Sequence, residues 1–79
     1  MELTRLGKSR LEVGKTTEKL GGLAPLDYAI LVAVDETDSL EDIVKLCRTC
    51  RTYKGNKIRA TASEIFQRVK TLKQSGLLA

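Results

Sequence analysis

The chain has 79 residues, 42% of them hydrophobic and 30% charged, with 14 Lys and Arg against 10 Asp and Glu. That length holds one domain with a modest core, and the apolar fraction excludes a chain disordered by composition. No His is present, which removes the commonest general base. The aromatic residues are Tyr28, Tyr53 and Phe66 alone, too few for the stacking platform of a single-strand binder. The composition therefore reads as a protein without catalytic activity and without a cofactor.

Nothing in the chain resembles a signal peptide. The longest apolar run, Tyr28 to Val34, is too short to span a bilayer. No membrane partner is expected, and the expected location is the cytoplasm of a prokaryotic-type cell. The charge is unevenly spread. Residues 1–24 carry a net +2, residues 25–50 a net −4 and residues 51–79 a net +6. A cationic segment of that density attracts a polyanion by counterion release; the plainer alternative is a solvated basic face.

Residues 1–24 form the least legible part. Leu3, Leu6, Val13 and Leu20 fall at heptad-like spacing, but Gly7 and Gly14 weaken a helix. A strand pair around Gly7 fits equally well. The segment reads as a basic arm, flexible or dimerising, separate from a helical domain over residues 25–79. Gly14-Lys15-Thr16 has the ending of a phosphate-binding loop, yet Ser9 stands where that motif needs its first Gly, and Glu2 does the same to Gly7-Lys8-Ser9.

A first helix is predicted from Pro25, a residue suited to the first helical position. Asp27 complements the dipole in its first turn. Leu26, Ala29, Ile30, Ala33 and Val34 follow helical spacing. The run is apolar nearly all round, so a buried strand stays open as an alternative; Asp35 and Glu36 end it. A second helix is predicted from an Asp38 cap with Glu41 as its capping-box partner. Leu40, Ile43, Val44 and Cys47 lie on one face of it, and Glu41, Asp42, Lys45 and Arg48 on the other.

Cys47 and Cys50 form a C-x-x-C pair. One chain without His or further Cys cannot complete a four-ligand zinc site, so no metal is assigned. A redox pair belongs at a helix start, whereas this one sits at a helix end. Cys47 reads as a core residue, with a local disulfide as the next possibility. The following link, Thr52 to Arg59, contains the hairpin-turn pair Gly55-Asn56 and is a short basic hairpin or a loop.

The third helix has the clearest signals. Thr61 and Glu64 make a capping box, and Ala62, Ile65, Phe66, Val69 and Leu72 form an apolar stripe. Ser75-Gly76 supplies the stop, after which Leu77 and Leu78 return to the core. With the stripe inward, Ser63, Gln67, Lys70, Thr71 and Gln74 face outward, flanked by Arg68 and Lys73. Amides and hydroxyls with cations at the edges are what a major-groove helix uses: Gln pairs with adenine, Ser and Thr read several base edges, and Lys or Arg hold phosphate or guanine.

The stretch from Leu26 to Leu78 resembles the winged helix-turn-helix domains of prokaryotic, archaeal-type transcriptional regulators. The resemblance rests on the opening Leu26-Asp27-Tyr28-Ala29-Ile30-Leu31, on the entry Ser39-Leu40-Glu41-Asp42-Ile43-Val44, and on the run Arg68-Val69 through Leu72 to Gly76-Leu77-Leu78. It implies a mainly α fold: a three-helix helix-turn-helix core whose third helix enters the major groove of double-stranded DNA. The base-facing role then falls to Ser63, Gln67, Lys70 and Thr71, with Arg68 and Gln74 beside them and Lys54, Lys57 and Arg59 on the link.

Two features depart from the family. The chain stops at Ala79, so the C-terminal wing is reduced or absent. The link before the third helix is long, similar to that in the winged helix of archaeal origin-recognition proteins. The basic link, or Arg5, Lys8, Arg10 and Lys15 on the arm, would replace the wing. The expected function is a small DNA-binding regulator, acting as a homodimer through residues 1–24 or the first helix. The alternatives are a protein-interaction adaptor on the same scaffold, using the acidic second helix, and an RNA- or ribosome-associated winged helix.

Overall fold

A computed structural model describes residues 1–17, 22–49 and 60–79. Among them four helices form: α1 (Arg5–Thr16), α2 (Pro25–Glu36), α3 (Leu40–Thr49) and α4 (Ala62–Gln74). The only sheet-like pairing among the described residues is an antiparallel bridge between Leu3 and Leu78. The mainly α class expected from sequence is thus the class observed.

α2 lies at the centre, and each of the other helices packs on it. Pro25 occupies its first turn, and the Ala24 carbonyl accepts the first bond, from Tyr28 N at 3.0 Å. Ala29, Ile30, Leu31, Ala33 and Val34 are all buried. A segment apolar on every side must be enclosed. As a helix it satisfies its own backbone groups, and that resolves the strand alternative.

The second helix starts later than its sequence signal. The Ser39 carbonyl accepts from Ile43 N at 2.9 Å, and Thr37 Oγ1 accepts from Ser39 N at 3.2 Å, so α3 begins at Leu40 rather than directly after Asp38. Ile43 and Cys47 face the core.

α4 has the ends its sequence announces. Thr61 Oγ1 accepts from Glu64 N at 3.2 Å while Glu64 Oε1 accepts from Thr61 N at 3.4 Å, a complete capping box. At the other end Gly76 takes a φ of 84°, the left-handed conformation that glycine adopts without strain. Leu77 N then reaches back to the Leu72 carbonyl at 3.0 Å and Gly76 N to that of Lys73 at 3.2 Å. The chain reverses, and Leu77 and Leu78 enter the core.

The N-terminal segment differs most from the sequence reading. Residues 5–16, expected as an arm, are helical, and Leu3 and Leu11 belong to the same core as α2, α3 and α4. Thr4 provides the anchor. Its hydroxyl accepts from Gly7 N at 3.0 Å and donates to the Gly76 carbonyl at 2.6 Å, and its N–H donates to the Leu77 carbonyl at 3.2 Å. Glu2 and Ala79 exchange a further pair of backbone bonds. The glycines that weaken the helix by propensity are buried on its inner face. A Cβ at Gly7 would run into the Leu77 carbonyl, so close approach of the backbones demands glycine there.

One ion pair ties α4 to α2. Arg68 Nε donates to Asp27 Oδ1 at 2.7 Å, and its Nη2 donates to Oδ2 at 2.5 Å. Asp27 is 7% exposed. The sequence reading gave Asp27 only a dipole role; its carboxylate is in fact buried and met by a planar two-pronged donor. The side-chain hydrogen bond to Asp27, and then its charge, raise the Arg68 pKa above its ordinary value, so the guanidinium stays charged throughout the working pH range.

Two stability outcomes follow. Gly7→Ala improves helix propensity by up to about 1 kcal/mol but forces the Leu77 carbonyl aside, and a net loss of about 1–3 kcal/mol is expected in urea unfolding. Arg68→Ala leaves the Asp27 carboxylate buried without its partner, and a loss of about 2–3 kcal/mol is expected. The Asp27→Leu/Arg68→Leu double variant should be closer to wild type than Arg68→Ala. A double variant that loses as much as the Asp27→Leu and Arg68→Leu single variants added together would show that the pair is not coupled.

Candidate nucleic-acid interface

The orientation of α4 is set by what it buries. Ile65, Val69 and Leu72, at i, i+4 and i+7, point into the core. The opposite side carries Ser63, Gln67, Lys70, Thr71 and Gln74, all exposed. Ser63, Gln67 and Lys70 border a shallow depression of about 210 Å³ together with Phe66. Thr71 Oγ1 donates to the Gln67 carbonyl at 3.1 Å, which leaves its oxygen able to accept from a ligand. Glu64, the one acid on this helix, is held in the capping box. The row therefore presents amide, hydroxyl and ammonium groups without a competing carboxylate.

Arg68 does not join that row. It was expected beside the outward face, but both of its donating prongs are committed to Asp27. Its place on the helix, next to the buried stripe, brings it against α2 while leaving the side chain 40% exposed. Lys54, Lys57 and Arg59, the remaining expected contacts, lie outside the described residues. So does Cys50; Cys47 is 1% exposed, as a core residue is.

One aspect of the surface escaped the sequence reading. Phe66, placed in the inward stripe, is 47% exposed, and Leu40 is 46% exposed. With Val44 and Ala62 they line an apolar groove of about 500 Å³ between α3 and α4, rimmed by Glu41, Lys45 and Arg48. Both residues sit at the edge of their apolar stripes, and edge positions are covered only where a neighbouring helix reaches them. The charge separation read from the sequence is carried onto the surface. Arg5, Lys8, Arg10 and Lys15 are exposed on α1, while Asp35, Glu36, Asp38, Glu41 and Asp42 are exposed between the end of α2 and the start of α3.

Among the described residues no helix is long and apolar enough to cross a membrane, and no group of three or more potential metal ligands forms. Comparison with protein-family models, with curated proteins and with solved structures finds no match to this chain.

Proposed function

We propose that this chain is a double-stranded DNA-binding domain of the helix-turn-helix, winged-helix kind, a small regulator that places α4 in the major groove. The observation that carries the reading is the exposed row Ser63, Gln67, Lys70, Thr71 and Gln74 on a helix capped at both ends and pinned to the core. A rigid helix with an outward face of short polar and amide groups suits base-edge contacts. Lys70 and Lys73 supply cations for phosphate. Leu77 to Ala79 run back along Glu2 to Thr4. The sequence-level excess of cations over residues 51–79 supplies the long-range attraction.

A second reading, a protein-docking module on the same scaffold, is favoured by the groove between Leu40 and Phe66. Both readings are non-catalytic.

Fluorescence anisotropy on a random duplex pool, followed by selection of bound sites, tests the first. Binding should weaken with salt along a log–log slope of about −4, for roughly 4–5 neutralised phosphates. Gln67→Ala should relax the base preference at one position, at about 1–3 kcal/mol, and Lys70→Ala should lower affinity with a shallower slope. An absence of duplex binding at low salt would overturn the reading. Stronger binding to structured RNA in competition would replace DNA with RNA as the ligand.

A further inference from the structure

The large apolar side chains left exposed among the described residues are Leu6, Val13, Leu40 and Phe66. They fall into two features of opposite shape. Leu6 and Val13 stand on the outer surface of α1, seven residues and therefore about two turns apart, so they make one ridge along the helix. Leu40 and Phe66 are walls of the groove between α3 and α4.

The charges beside these features match as well. Next to the ridge, Arg5 and Glu12 are exposed and also seven residues apart. Next to the groove, Glu41 and Arg48 stand on α3, again seven apart, with the signs in the opposite order. A copy of α1 laid parallel to α3 sets Arg5 against Glu41 and Glu12 against Arg48. Leu6 and Val13 then cover Leu40, Val44 and Phe66. Helical geometry places both charged rows on the same side of the contact in that parallel setting. In the antiparallel setting the two charged rows fall on opposite sides of the contact, and neither pair forms. Lys45 already lies 3.6 Å from Glu41, but both side chains are largely exposed, and an exposed pair of this kind is worth little.

We propose that the groove between α3 and α4 is filled by α1 of a second copy of this chain. Ridge and groove are different patches, so the proposal further takes the contact to be made reciprocally, closing the pair as a two-fold dimer instead of growing head to tail. The proposal is independent of the DNA reading, since none of the groups it pairs belongs to the outward row of α4.

Sedimentation equilibrium of the full chain, up to hundreds of micromolar, tests it. Wild type should move from the 8.7 kDa chain mass toward twice that value. Arg5→Glu and Glu41→Arg should each weaken the dimer about tenfold, and the Arg5→Glu/Glu41→Arg double variant should return to within about threefold of wild type. All of these positions are exposed, so circular dichroism should report unchanged helicity. Leu6→Asp should give the chain mass at every concentration. A wild type that remains at the chain mass would overturn the proposal, and so would a double variant no tighter than either single one.

Discussion

α2 has almost no side to offer to water. From Ala29 to Val34 its residues are buried, apart from Val32, which is partly so. Each large side chain there gains about 1.5–3 kcal/mol by leaving solvent, and that gain is realised only when the helix is covered from several directions. The short turn through Asp38 lays α3 on one side, and α4 and α1 take the others. The architecture follows from enclosing one apolar rod with three amphipathic ones. It also explains why α1 folds against the rest: without Leu3 and Leu11, part of that rod would face water.

Asp27 is the exception within the enclosed helix, and it fixes how α4 sits. A buried carboxylate needs its lone pairs met, and Arg68 meets both oxygens from across the helix pair. Apolar packing of Ile65, Val69 and Leu72 tolerates sliding and small rotation; a two-pronged ion pair tolerates much less. With the inner side of α4 so determined, the outward row is determined too. The outward row of α4 owes its direction in part to this ion pair.

How much of this was legible from sequence depends on whether the deciding physics is local. The caps of α4 were legible because Thr61, Glu64 and Gly76 act on backbone groups within a few residues of themselves. The outward row was legible because the apolar stripe from Ala62 to Leu72 fixes its opposite side. α1 was not: Gly7 and Gly14 speak against a helix by propensity, and the reason for Gly7 is the backbone of Leu77, distant in sequence. The partner of Arg68 was hidden for the same reason. Nothing in its neighbourhood announces Asp27, and a cation at the flank of a basic helix looks like a phosphate contact until its partner is seen. Phe66 and Leu40 were assigned inward by periodicity, which gives a direction but not whether a neighbour fills it.

Phe66 links the surfaces on either side of it. It is a wall of the apolar groove and also borders the depression formed by Ser63, Gln67 and Lys70. Leaving half of an aromatic ring in water forgoes about 1 kcal/mol or more, so whatever occupies the groove gains from covering it. A second copy seated there would cover the side of the ring that faces α3 and would stop short of the polar row, whose groups point away from α3. The aromatic ring thus marks the boundary between an apolar surface and a polar one. α4 presents both because the core holds it from the one remaining side.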